Sequence, residues 1–123
     1  MSNSHQAQNK QLSKNFNEIE FACKCCGQVI ISNELVIKLQ KLRDLIGKPI
    51  HINSGYRCPK NNKEVGGVTN SQHVLGTATD ITISGLTSKQ IAKYAEQIGF
   101  GGIGIYQDFI HVDVRSNKAR WNG

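Results

Sequence analysis

The groups with chemical capacity lie in two short stretches. Ser71-Gln72-His73-Val74-Leu75-Gly76-Thr77-Ala78-Thr79-Asp80 sets an imidazole and a carboxylate seven positions apart across a glycine turn that leads into a strand. Asp108-Phe109-Ile110-His111-Val112-Asp113 sets a second imidazole in mid-strand, with one acid three residues before it and another two after. Two histidines and one carboxylate, His73, Asp80 and His111, make a three-ligand catalytic zinc set with the fourth position left for water. Oxygen-only ions such as magnesium or calcium suit such a set less well. A general base must also reach the water, and Asp108 and Asp113 are the candidates. Asp113 shares a strand face with His111, which equally suits a role in orienting that ligand. Strand parity does not choose between the two.

These stretches are positioned by elements that the pattern predicts. Ser32 caps a helix in which Leu35, Val36, Leu39, Leu42 and Ile46 form one apolar stripe, and Gly47 with Pro49 stops it. Ile50 to Ser54 alternates as a short strand, with His51 turned to solvent, and Asn61 to Val65 suits a single helical turn. Thr77 to Ile83 also alternates, putting Asp80 on one face beside the small Ala78. Thr87 and Gln90 form a capping box for a second helix, with Ile91, Ala92, Ala95 and Ile98 inward and Gly99 as its stop. Gly101, Gly102 and Gly104 predict a strand that passes close to other backbone or to ligand. Phe109 to Val114 is the last predicted strand, and Arg115 to Gly123 a basic tail whose Trp121 docks on the core. The expected fold is a small single-domain α+β protein with a mainly antiparallel sheet packed by two principal helices.

Length and composition agree with one domain. The chain has 123 residues, 38% of them hydrophobic. Residues 1–18 offer only Leu12 and Phe16 as sizeable apolar anchors beyond Met1, so a mobile polar arm is expected there and the domain proper over 19–123. A formal charge of +6 favours polyanionic surroundings such as nucleic acid or an anionic cell wall. Nucleic acid is the weaker fit, because no run of five basic residues occurs and aromatics are only 7%. No apolar run approaches the roughly 18 residues of a membrane span, and Met1 to Leu12 lacks the pattern of a signal peptide. Synthesis in the cytoplasm is expected, with any action on a cell wall requiring release by another route.

Cys23, Cys25 and Cys26 fall within four positions, and Cys58 is the one other cysteine. Cys23-x-x-Cys26 has the spacing of half a structural zinc site. Free thiols, a disulfide from the cluster to Cys58, and a second zinc at Cys23, Cys26 and Cys58 are the three alternatives.

Over about residues 19–121 the chain resembles the zinc D-alanyl-D-alanine carboxypeptidases and related peptidoglycan endopeptidases, including many phage endolysins. The pattern S-x-H-x-x-G-x-A-x-D is matched in full by Ser71, His73, Gly76, Ala78 and Asp80, and acid-x-x-His by Asp108 and His111. Ser54-Gly55-Tyr56-Arg57 and His111-Val112-Asp113 also look like the family's small members. The resemblance implies His73, Asp80 and His111 as ligands of one catalytic zinc and Asp108 as the base. It further implies Arg57 as the donor to the substrate carbonyl and its oxyanion, and Ser71 as a substrate contact. Many members carry Glu at the base position, which keeps Asp113 as the reserve. The implied substrate is a peptidoglycan stem peptide cut beside a D-amino acid; separately, a monomer is expected. The alternatives are a catalytically inactive zinc-containing binding module on the same fold and a basic nucleic-acid binder.

Overall fold

In the structure, a computed structural model that describes residues 4–67 and 71–123, the chain folds as α+β. Three helices stand out: α1 (Asn33–Ile46), α2 (Pro59–Glu64) and α3 (Ser88–Ile98). The caps are those the sequence predicts. Ser32 Oγ accepts from the Leu35 amide, Thr87 and Gln90 bond reciprocally, and Gly47 and Gly99 close α1 and α3 in the left-handed conformation that glycine adopts without strain. Lacking an apolar stripe of its own, α2 starts on Pro59 and is capped by the Cys58 sulfur.

Nine strands run in chain order: β1 (His5–Gln6), β2 (Gln11–Ser13), β3 (Phe16–Asn17), β4 (Gln28–Val29), β5 (His51–Ser54), β6 (Ala78–Thr82), β7 (Gly102–Ile105), β8 (Ile110–Asp113) and β9 (Ala119–Asn122). The main sheet has the order β5-β6-β8-β7-β9, antiparallel throughout except for the parallel β7–β9 pair. Alternation sends Ile52, Ile81, Ile103, Ile110 and Val112 to one face, where they join Leu35, Leu39 and Leu42 of α1 and Ile91 and Ala95 of α3 in the core. The other face carries the polar row. Register sets Ser54 opposite Asp80, Asp80 opposite His111, His111 opposite Gly104, and Gly104 opposite Trp121.

Two expectations need adjusting. The basic tail is not a tail: Ala119–Asn122 forms the edge strand β9, and Trp121 lies half-buried on the polar face rather than in the core. Its polar composition hid it, because an edge strand beside Gly102 and Gly104 needs little apolar surface of its own. Residues 4–18, where composition points to an arm, lie against the body. There β1 pairs with β4, Phe16 is 1% exposed within the core, and Leu12 packs on it. Glu18 is buried and accepts from the Gln8 amide (3.0 Å) and His5 Nε2 (3.1 Å). Burial alone would raise its pKa, but these two bonds outweigh it and lower it. Two anchors and one buried acid are enough to dock a segment that is otherwise polar.

Candidate metal centre and cleft

The turn that presents His73 is built by its own backbone. The amides of Val74, Leu75 and Gly76 return to the carbonyls of Ser71, Gln72 and His73, and Ser71 Oγ accepts from the His73 amide at 3.1 Å. Gly76 closes the turn at φ +76°, where a Cβ would press on the Ile30 backbone. Both facts exclude a larger residue there. Asp80 and His111 come from β6 and β8, directly opposite one another.

The three candidate ligand atoms converge. Asp80 Oδ1 lies 3.3 Å from His73 Nε2 and 3.2 Å from His111 Nδ1. Each imidazole is tied at its far nitrogen to an acceptor: His73 Nδ1 to the Gly55 carbonyl at 2.8 Å, His111 Nε2 to Asp113 Oδ2 at 2.7 Å. Those acceptors assign the protons to the far nitrogens, so both near nitrogens direct lone pairs at the same carboxylate oxygen. Three electron-rich atoms facing one point repel unless a proton or a metal cation lies between them. Ligands at ~2.0–2.1 Å from a tetrahedral zinc stand about 3.3 Å apart, and the two separations in the structure match that edge. The donor set and its spacing fit a zinc ion, with Gly55 and Asp113 orienting the two histidines.

Without a metal ion the same groups pair with one another. Burial would raise the Asp80 pKa, but the contacts with His111 and His73 outweigh it and bring it down to about 2. Asp113 is fully buried, which again would raise it, yet the His111 bond and the Arg115 fork hold it well below the usual carboxylate range. Arg115 donates to it from its amide, Nε and Nη2 at 2.7–3.1 Å. Burial works against a charged His111, and the bonds to Asp113 and Asp80 reverse the balance and raise its pKa.

Above these groups lies an open cleft of about 440 Å³ whose walls include Arg57, Ser71, Tyr106, Arg115 and Trp121. Arg57 anchors its backbone by donating to the His73 carbonyl at 3.2 Å, while its side-chain Nε is buried with no hydrogen-bond partner among the described residues. A buried donor left open beside a cleft is suited to a ligand oxygen. Of the residues singled out in the sequence, the structure brings together His73, Asp80, His111 and Asp113, and sets Arg57 and Ser71 in the cleft wall. Asp108 is exposed in the β7–β8 connection and is not part of that wall.

Sequence reasoning missed Trp121, Tyr106 and Arg115 as cleft residues. The Trp121 ring lies 5.1 Å from the His111 ring and under the Arg115 guanidinium, and its Nε1 donates to the Tyr106 hydroxyl at 2.9 Å. The available signal was Gly104. A Cβ there would fall on the Trp121 ring, and one at Gly102 on the Asp113 carboxylate, so the glycines predicted to admit a close neighbour do so at these two groups.

A family model described as Peptidase M15 matches residues 8–113. The peptidoglycan L,D-endopeptidase MepK of Escherichia coli (strain K12) is 35% identical over 86 residues, covering 63% of this chain and 47% of that protein. The zinc D-Ala-D-Ala carboxypeptidase of Streptomyces albus G is 39% identical over 64 residues, covering 51% of this chain and 25% of that protein. The probable peptidoglycan L,D-endopeptidase MepK of Haemophilus influenzae is 33% identical over 81 residues, covering 60% of this chain and 43% of its own length. The chain thus spans about half the length, or less, of these curated relatives. No helix among the described residues is long and apolar enough to cross a membrane.

Proposed function

The chain belongs to the Peptidase M15 family, and from that premise we propose that it is a zinc-dependent peptidase that hydrolyses a peptide bond next to a D-amino acid in peptidoglycan stem peptides. One observation carries the reading: two imidazoles that line an open cleft, each with its far nitrogen held by an acceptor, aim their near nitrogens at the same Asp80 oxygen.

His73, Asp80 and His111 would hold the zinc, which when bound supplies Lewis-acid polarisation of the scissile carbonyl and of the attacking water. The remaining roles belong to side chains. Arg57, with Nε unpartnered at the cleft, donates to the carbonyl oxygen as negative charge gathers on it. Asp113 orients His111 through Nε2 and is itself held by Arg115, which leaves no free carboxylate edge for a proton from water. We therefore assign the base to Asp108, which makes no side-chain hydrogen bond among the described residues, and whose approach requires the 106–109 connection to turn inward over the substrate. Ser71 keeps a hydroxyl proton to donate to substrate while its oxygen accepts from the His73 amide. The arginines of the cleft and the net charge suit the anionic stem and wall. The names of the relatives supply the substrate class, an L,D-endopeptidase and a D-Ala-D-Ala carboxypeptidase.

A second reading, a zinc-containing binding module without turnover, draws on the position of Asp108 outside the cleft wall. Digestion of purified peptidoglycan, read by mass spectrometry with and without chelator, separates the two. New muropeptide termini that vanish with chelator and return with zinc support the peptidase, and the bond cut reveals endo- or carboxypeptidase action. Full zinc occupancy with no cleavage of muropeptides, or equal cleavage of all-L peptides, overturns it.

A further inference from the structure

We propose that Cys23, Cys25, Cys26 and Cys58 together hold a second, structural zinc that clamps the loop supporting the cleft. All four sulfurs lie within 4.8 Å of one another, although Cys58 is remote in sequence. Cys25 and Cys58 are 3.3 Å apart and Cys23 and Cys25 3.8 Å. Thiolates bound at ~2.3 Å to a tetrahedral zinc stand about 3.8 Å apart, whereas a disulfide requires about 2.05 Å. None of the four is in a disulfide.

The backbone around them is arranged for thiolates. Residues 23–27 form a knuckle in which the Gly27 amide returns to the Cys23 carbonyl at 2.8 Å, with Gly27 at φ +74° to complete the reversal. The Cys58 amide donates to Cys23 Sγ and the Asn61 amide to Cys58 Sγ, both at 3.4 Å. Such donors offset the negative charge that four thiolates bring to one ion. Four soft ligands leave no open position, so the site is closed and structural. Each thiol gives its proton to solvent on binding, with no change of oxidation state.

The role follows from what the knuckle is tied to. Cys58 ends the loop in which the Gly55 carbonyl holds His73 Nδ1, the Tyr56 amide donates to Phe21 at 2.9 Å, and the Arg57 amide donates to His73. A metal joining Cys58 to the 23–26 knuckle therefore fastens the two groups that set the His73 imidazole and the Arg57 side chain.

Metal analysis and native mass spectrometry of the full chain test this, on wild type, a His73→Ala/His111→Ala variant and a Cys25→Ser/Cys26→Ser variant. Cys25 and Cys26 are exposed, so their replacement opens no core cavity. Two zinc ions per chain are expected in wild type and one in each variant. Zinc X-ray absorption of the histidine variant should show four sulfurs at ~2.3 Å. Release of that ion by a mercurial should open the peptide bond after Lys60 to trypsin. Even if the cysteine variant fails to fold, the other two proteins decide. A single zinc in wild type that is lost from the histidine variant, or a mass two hydrogens low for a disulfide, overturns the proposal. An unchanged tryptic pattern overturns the clamp. The histidine variant keeps this test apart from the peptidase reading, since sulfur-bound zinc there is independent of turnover.

Discussion

Asp113→Asn probes the assignment of protons on which the zinc site rests. Asp113 is fully buried and accepts from His111 Nε2 at 2.7 Å on one oxygen, while Arg115 uses both oxygens through its amide, Nε and Nη2. Asparagine keeps the shape but turns one acceptor into a donor. If the amide NH2 faces His111, two donors meet, and the imidazole escapes by moving its proton to Nδ1, the atom that must offer zinc a lone pair. If instead the NH2 faces Arg115, the amide and guanidinium lose their charged partner and the strand end that holds His111 loosens. Either way a buried orienting group is lost, and such groups are worth about 10–100-fold in metal affinity, or ~1.4–2.7 kcal/mol. Competition against a fluorescent zinc chelator measures the affinity, and histidine 15N shifts report which nitrogen of His111 carries the proton. An unchanged affinity with the proton still on Nε2 would refute the reasoning, because Asp113 would then be bystander packing.

Arg57→Ala should lower kcat/KM by about 10²–10³ with zinc content unchanged, the scale of a lost oxyanion donor; steady-state kinetics with parallel metal analysis check it. Asp108→Asn should retain zinc and melting temperature yet lose about 10²-fold or more in turnover, and a wild-type rate would remove Asp108 from the base position. The zinc-free protein should lose stability as pH rises above the ordinary histidine value of 6.5, because the raised pKa of His111 makes the folded state hold the extra proton. Zinc requires those nitrogens unprotonated, so the melting shift caused by zinc should widen with pH; thermal melts with and without chelator over a pH series decide the sign. Phe16→Ala should cost about 3–5 kcal/mol in denaturant melts if residues 4–18 belong to the folded unit, and a value near zero would return them to the status of an arm.

The sequence made the site legible to the extent that alternation and turn chemistry set directions. Asp80 beside Ala78, and His111 opposite Ile110 and Val112, follow from a period of two. The caps at Ser32 and Thr87 follow from side chains that satisfy open helix amides. What stayed hidden depends on pairing between remote segments, which no local pattern encodes. Trp121 was readable only as a large apolar residue in a polar tail, since its seat exists because Gly104 of another strand leaves room. The spacing Cys23-x-x-Cys26 points to two of the clustered thiols, while the curl of the knuckle brings Cys25 to them as well. Phe16 and Leu12 anchor the first segment to the core, but composition averaged over eighteen residues dilutes that signal.

Register explains how so small a domain gathers its groups. The row Ser54, Asp80, His111, Gly104 and Trp121 crosses all five strands of the main sheet, one residue per strand. A shift of one residue in β8 would turn His111 into the core and bring Ile110 or Val112 to the cleft, so core burial and the ligand set select the same pairing. Those two valine and isoleucine side chains are fully buried under the helices, and exposing them would cost several kcal/mol at ~25 cal/mol per Å² of apolar surface. That cost is independent of metal. A zinc ion bound as proposed would therefore meet Asp80 and His111 already held by the hydrophobic face of the same two strands, and only His73, which comes from a turn, depends on the loop with Gly55 for its aim. Of the three ligands it is His73 whose orientation should be most sensitive to whatever fastens residues 55–58.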